Sequence, residues 1–207
     1  MKQEILQALQ WRYATYAFDT TKKVSDEDLN AVLESGRLAP SSFGFEAWKF
    51  IVVKNADVRA KLRAVGYDQP RITDASDLII IAQRTDTEHL TDELVARTAA
   101  AQNKPVAELE MLKTMASGAV NRMPADQAKA WLKSQTYIPL GIMMETASLL
   151  NIDNAAMEGF NTEQVNEILG LSAKNLSAVT MVALGYRGEE PRPKARRTHD
   201  EVVEIIT

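Results

Sequence analysis

The chain has 207 residues, no cysteine, two histidines, a formal charge of −4 and an apolar fraction of 45%. Without cysteine there is no disulfide, thiolate metal site or catalytic thiol, and with His89 and His199 alone a zinc site or a Ser-His-Asp triad lacks material, so no metal is expected. Acidic and basic residues are interspersed, which argues against a nucleic-acid partner, and the composition describes one domain over 1–207.

Ile5, Leu6, Leu9 and Tyr13 recur at helical spacing and predict a first helix over 2–11. The chain then extends through "RYATYAF", where alternation puts Arg12, Ala14 and Tyr16 on one side. Ser25 with Asp28 resembles a capping box for a second helix that Gly36 stops. "WKFIVV", "LIIIAQ" and "AVTMVALGY" read as strands, the last two covered on both faces. Between about 86 and 125 the sequence is polar, alanine-rich and methionine-dotted, with breaks at Pro105, Gly118 and Pro124. This predicts a helical excursion.

From Asp126 to Leu150 the pattern is one long helix kinked at Pro139, so apolar after Gln135 that a second subunit is the simplest cover. The segment "YIPLGIMMETASLL" is interrupted by Glu145 and too short to span a bilayer, and the N-terminus has no continuous apolar run. A cytoplasmic, non-membrane protein is expected. Asn161 with Gln164 caps a further helix ending at Gly170, and from about 189 to 207 the chain leaves as a proline-containing arm with a strand-like end.

Three distant segments suit a phosphorylated aromatic ligand. "RYATYAF" carries Arg12, "APSS" offers the hydroxyls of Ser41 and Ser42, and "PKARR" sets Lys194 and Arg196 on one face. Cations converging on one phosphate make strong charge-assisted bonds. There is no G-x-G-x-x-G and no P-loop, so a nucleotide would have to be held differently.

Taken together, "RYATYAFD", "LAPSSFGFEAWKFIVV", "YDQPRITDASDLIIIA", "NAAMEGFN" and "PRPKARR" resemble, in order, the conserved blocks of the FMN-dependent nitroreductase family. The resemblance implies an α+β sandwich, a central, mostly antiparallel sheet flanked by helices, in a homodimer whose C-terminal arms embrace the partner. It implies that FMN is bound with its phosphate held by Arg12, Lys194 and Arg196, aided by the Tyr13 and Ala14 backbone. Ser41 and Ser42 would come from the partner subunit, and Phe43 and Gly44 would adjoin the substrate. Asp68 and Arg71 would edge the pyrimidine ring, with Tyr16 near it. Ala156 and the Glu158 and Gly159 amides would lie at the flavin N5 and O4. This sequence departs from the family pattern at Ala14, where a hydroxyl is usual, at Tyr16, where a base is frequent, at Gly44 and Glu46, and at Ala156.

The activity implied is hydride transfer from NADH or NADPH through FMN to a nitroaromatic or quinone acceptor, by a ping-pong mechanism. A non-catalytic flavin-binding dimer, or dehalogenation or flavin fragmentation on the same scaffold, fits the same residues.

Overall fold

The computed structural model describes residues 2–207. Strands β1 (Trp48–Val52), β2 (Asp77–Arg84), β3 (Asp153–Met157) and β4 (Leu176–Gly185) form one sheet in the order β1-β2-β4-β3, every neighbouring pair antiparallel. Because side chains alternate, β2 and β4 feed two cores at once. Leu78, Ile80, Met181 and Ala183 enter one, and Ile79, Ile81, Val182 and Leu184 the other. The continuous apolar runs of the sequence have this cause, in an antiparallel sheet covered on both sides.

β3 is a strand the sequence patterning misses. Its residues, Asp-Asn-Ala-Ala-Met, are poor strand formers. They are held by pairing with β4, Asp153 opposite Gly185 through Met157 opposite Met181. The extended segment after the first helix then lies along its outer edge, with a single parallel bridge from Ala14 to Asn154.

Helix α1 (Lys2–Trp11) runs as expected. Helix α2 (Asp26–Arg37) begins on Ser25, whose Oγ accepts the Asp28 N–H at 3.0 Å, so the capping box holds. Gly36 does not end the helix. It sits inside it where α2 crosses a later helix, and a Cβ there would meet Met143 Sδ at 2.6 Å and Phe50 Cε2 at 3.1 Å. Its smallness serves packing, whereas the chain turns out of the helix at Leu38.

Helices α3 (Ala56–Val65) and α4 (Arg71–Asp74) lie between β1 and β2. After β2 come α5 (Leu90–Gln102) and α6 (Glu110–Asn121), which run through the predicted excursion, with Gly118 inside α6 and not at a break. They enclose a small third core in which Leu90, Leu94, Ala116, Val120 and Leu132 surround Phe45. Arg84 at the end of β2 ties this layer to the sheet by donating to Asp86, at 2.9 and 2.6 Å, and to Glu93 at 2.5 Å.

The predicted long helix is two helices, α7 (Ala125–Gln135) and α8 (Tyr137–Leu149). The break falls at buried Thr136, whose Oγ1 donates to Lys133 O at 2.7 Å. Pro139 lies in the first turn of α8, where its missing N–H costs no intrahelical bond, so it starts a helix and does not kink one. Helix α9 (Thr162–Leu169) precedes β4, capped by Asn161 and ended by left-handed Gly170. The tail forms no strand. The Val202 and Val203 N–H groups both donate to His199 O, making a turn.

Replacing Gly36 by valine should destabilise the protein by about 1–3 kcal/mol, because Met143 is fully buried and has no room to retreat. Urea unfolding should show a lower midpoint at unchanged slope.

Candidate functional site

Chain order places the arm beside the N-terminal segment, and one ion pair fixes the geometry. Buried Asp153, the first residue of β3, accepts from Arg187 Nε at 2.6 Å and from the Arg187 backbone N–H at 2.9 Å. The guanidinium of Arg187 lies 4.2 Å from the centroid of the Trp11 ring and 4.8 Å from that of Tyr13. The chain leaving β4 is thereby bound to the edge strand and to the end of α1.

Two residues on, Glu189 Oε1 accepts three donors, the N–H groups of Tyr16 at 2.7 Å and Ala17 at 3.2 Å and the Tyr13 hydroxyl at 3.3 Å. Burial pushes this carboxyl up, but the two backbone donors, Tyr13 and the nearby Arg192 outweigh it and hold it below its ordinary value. Further along, Lys194 Nζ donates to Leu9 O at the end of α1.

This leaves Arg12, Lys194 and Arg196 within electrostatic reach of one another. Burial lowers the pKa of Arg12, and Arg196 lowers it further. Burial likewise lowers that of Lys194, with Arg12 and Arg196 adding to the effect. Among the described residues no carboxylate lies within ion-pairing distance of any of the three. Three cations that repel one another without a counter-ion form a donor set suited to a phosphate.

Tyr13 and Thr15 are buried, whereas Ala14 and Tyr16 face out, so the alternation read from the sequence holds. The Tyr16 ring is half exposed, at 50%, and is flanked by two guanidiniums, Arg71 at 4.5 Å and Arg192 at 4.8 Å from its centroid. It does not pack in the core. Arg71, the first residue of α4, is therefore at the Tyr16 face, as the predicted grouping requires.

Asp68 is turned to another task. Its carboxylate pairs with Arg63 Nε at 2.6 Å, and it and Tyr67 adopt left-handed backbone, φ 52° and 54°. The residue of this loop that reaches across is Gln69, whose Nε2 donates to Gly66 O at 2.9 Å and to Gly159 O at 2.7 Å. Glu158 and Gly159 follow β3 directly, and neither N–H has an acceptor among the described residues. Ala156, half-buried, packs with the core on one side of the sheet.

The second group of predicted residues lies on a different frame. Ser41 Oγ accepts the Glu46 N–H at 2.9 Å, and the Ser42 N–H donates to Gln135 Oε1 at 2.8 Å. Phe43 and Gly44 adopt φ of 56° and 75°, and Arg97 donates to Gly44 O at 2.9 Å. Phe45 anchors the loop, packing edge-on against Trp131. None of these bonds runs to the cation cluster. Exposed Phe43 instead borders a cleft of about 320 Å³ against α6, lined also by Thr114, Met115, Gly118, Ala119 and Arg122.

A larger cavity, about 520 Å³, opens between Lys23, Lys54, Arg59 and Asp77. Arg59 there is spent on backbone, donating to the carbonyls of Ile72, Ala75 and Ser76 at 2.7, 2.6 and 3.1 Å. It secures the exit of α4 and is a structural group.

Glu189, Gln69, Arg187 and Arg192 were not among the residues singled out in the sequence. The one available signal was a glutamate pair directly before the basic run Arg192, Lys194, Arg196 and Arg197.

The model of the nitroreductase family matches residues 9–186. Two curated relatives bear the designation "Putative NAD(P)H nitroreductase". YfkO of Bacillus subtilis is 37% identical over 218 residues, spanning 100% of this chain and 99% of its own. A Staphylococcus saprophyticus protein is 36% identical over 217 residues, spanning 100% and 98%. A solved Exiguobacterium sibiricum structure, described as a "putative nitroreductase in complex with FMN", superposes with a TM-score of 0.84 at 21% identity, covering 99% of this chain and 96% of that one.

With its carboxyl held below 4.5, Glu189 contributes stability that is present above that value and is lost as the pH falls through the lowered one. Glu189→Gln should lower the thermal midpoint at neutral pH and flatten its decline in acid. A parallel decline in both proteins would mean the clasp is not ionic.

Proposed function

The chain belongs to the nitroreductase family, and from that premise we propose that it is an oxidoreductase that binds FMN and uses NADH or NADPH to reduce a nitroaromatic or quinone acceptor. The observation that carries the reading is the cluster of Arg12, Lys194 and Arg196 without a counter-ion. These three would hold the phosphate, Arg71 and Tyr16 would border the pyrimidine edge, and the free amides of Glu158 and Gly159 would face its electron-rich atoms. Bound there, FMN would supply the hydride chemistry, and no side chain need act as nucleophile or acid.

The residues of this chain then have binding and shielding to do. The cleft beside Phe43 offers an aromatic and methionine-lined wall for a flat acceptor. Because Ser41, Ser42, Phe43 and Gly44 hang on the α5–α7 layer and share no described contact with the cation cluster, they would complete the site from the partner of a homodimer. Exposed Leu6 and Leu9 on α1 and Ile138, Leu149 and Leu150 at the ends of α8 support such a dimer, as does the apolar tail at Ile205 and Ile206. Among the described residues no helix is long and apolar enough to cross a membrane, which accords with a cytoplasmic enzyme.

FMN should copurify at up to one per subunit, and Arg196→Ala should weaken it by roughly tenfold to a hundredfold, the worth of one charge-assisted contact. Fluorescence titration of the FMN-free protein measures this, and undiminished affinity would remove Arg196 from the site. With donor and acceptor sharing one cleft in turn, double-reciprocal plots should be parallel. Intersecting lines would require separate sites.

A further inference from the structure

The turn that follows β3 is tied at every point except the two that face out. Phe160 donates to Glu158 O and Asn161 to Val65 O, both at 2.9 Å, and Gln69 holds Gly159 O at 2.7 Å. The Glu158 and Gly159 N–H groups alone are left without acceptors among the described residues. Beside them hangs the Glu158 carboxylate, whose two oxygens are acceptors that could take both.

That carboxylate is engaged elsewhere. Glu158 Oε1 accepts the hydroxyl of Tyr137, the first residue of α8. Burial and the neighbouring carboxylate push Tyr137 up to about 12, so it remains a donor wherever the protein is folded and active. Thr136, buried directly before it, and Pro139, buried two residues after it, fix the start of the helix that carries it.

We infer that Tyr137 is a positioning residue that draws the Glu158 carboxylate away from the Glu158 and Gly159 amides, keeping both N–H groups free for the electron-rich edge of a bound ligand. Preorganised donors stabilise developing charge because they need no rearrangement when it appears. A carboxylate folded onto them would cancel that gain twice, by occupying the donors and by adding a like charge beside the ligand. The inference rests on FMN being that ligand.

Tyr137→Phe frees the carboxylate. It should weaken FMN by about three- to tenfold, lower the flavin midpoint potential, and move the Gly159 amide resonance in the FMN-free protein. Adding Glu158→Ala to Tyr137→Phe removes the competing carboxylate and should restore a large part of all three. A tyrosine that only packs would not be rescued in this way. An unchanged Gly159 resonance and potential in Tyr137→Phe, or equal losses in the single and double variants, would overturn the inference. A wild-type protein that takes up no FMN would instead overturn the flavin reading, and the amide resonance of the FMN-free variants would still decide the role of Tyr137.

Discussion

The pair of buried Asp153 and half-buried Arg187 is the contact from which the arm is hung. It joins the first residue of the edge strand to the chain leaving β4, and its guanidinium carries the rings of Trp11 and Tyr13. Removing one partner of such a pair leaves a buried charge alone and costs about 3–5 kcal/mol. Here the loss would not stay local. Glu189 is two residues from Arg187, and its clasp on Tyr13, Tyr16 and Ala17 fixes the arm against the N-terminal segment. Lys194 and Arg196 follow these two anchors along the arm, and Lys194 adds a bond to Leu9 O.

The nearness of these two cations to Arg12 is unfavourable in itself. Burial pushes Arg12 and Lys194 toward their neutral forms, and the charge of Arg196 on the first, and of Arg12 and Arg196 on the second, adds to it. The fold tolerates the repulsion because the arm is anchored upstream, through Arg187 and Glu189, by contacts that do not involve the three cations. A ligand that binds the folded form and supplies the missing charge stabilises it in proportion to its affinity. A phosphate beside the three cations would offset their mutual repulsion.

The sequence revealed these groups unevenly, and the reasons are physical. The cation cluster was legible because extended backbone alternates strictly, so the spacing in "RYATYAF" and "PKARR" predicts which side chains share a face. The capping box at Ser25 was legible because it is a local hydrogen bond. Strand β3 was not, since Asp-Asn-Ala-Ala-Met becomes a strand through its partner and not through its own preference. Gly36 and Pro139 were misread for the same reason. Each has a local meaning as a breaker, and each is used here for what tertiary structure demands, a close helix crossing and a first-turn position. Asp68 was placed by family pattern; its exposed carboxylate pairs with Arg63, and Gln69 beside it bridges to Gly159 O, a contact the pattern did not name.

The question of why arginines and aromatics are interleaved around this site has an electrostatic answer. Arg71 and Arg192 flank Tyr16, and Arg187 lies against Trp11 and Tyr13. A carboxylate would hold a guanidinium more strongly, but it would also cancel its charge toward anything arriving from outside. A ring face holds the cation by its quadrupole, at about 0.5–2 kcal/mol, and leaves the net charge in place. At half-buried Arg187, beside buried Asp153, the chain supplies a carboxylate as well. Arg71 and Arg192 have the Tyr16 ring between them and, among the described residues, no carboxylate within ion-pairing distance, though Glu189 lies near Arg192. The aromatic residues of the N-terminal segment thus fix the orientation of the cations while keeping them available to an anion.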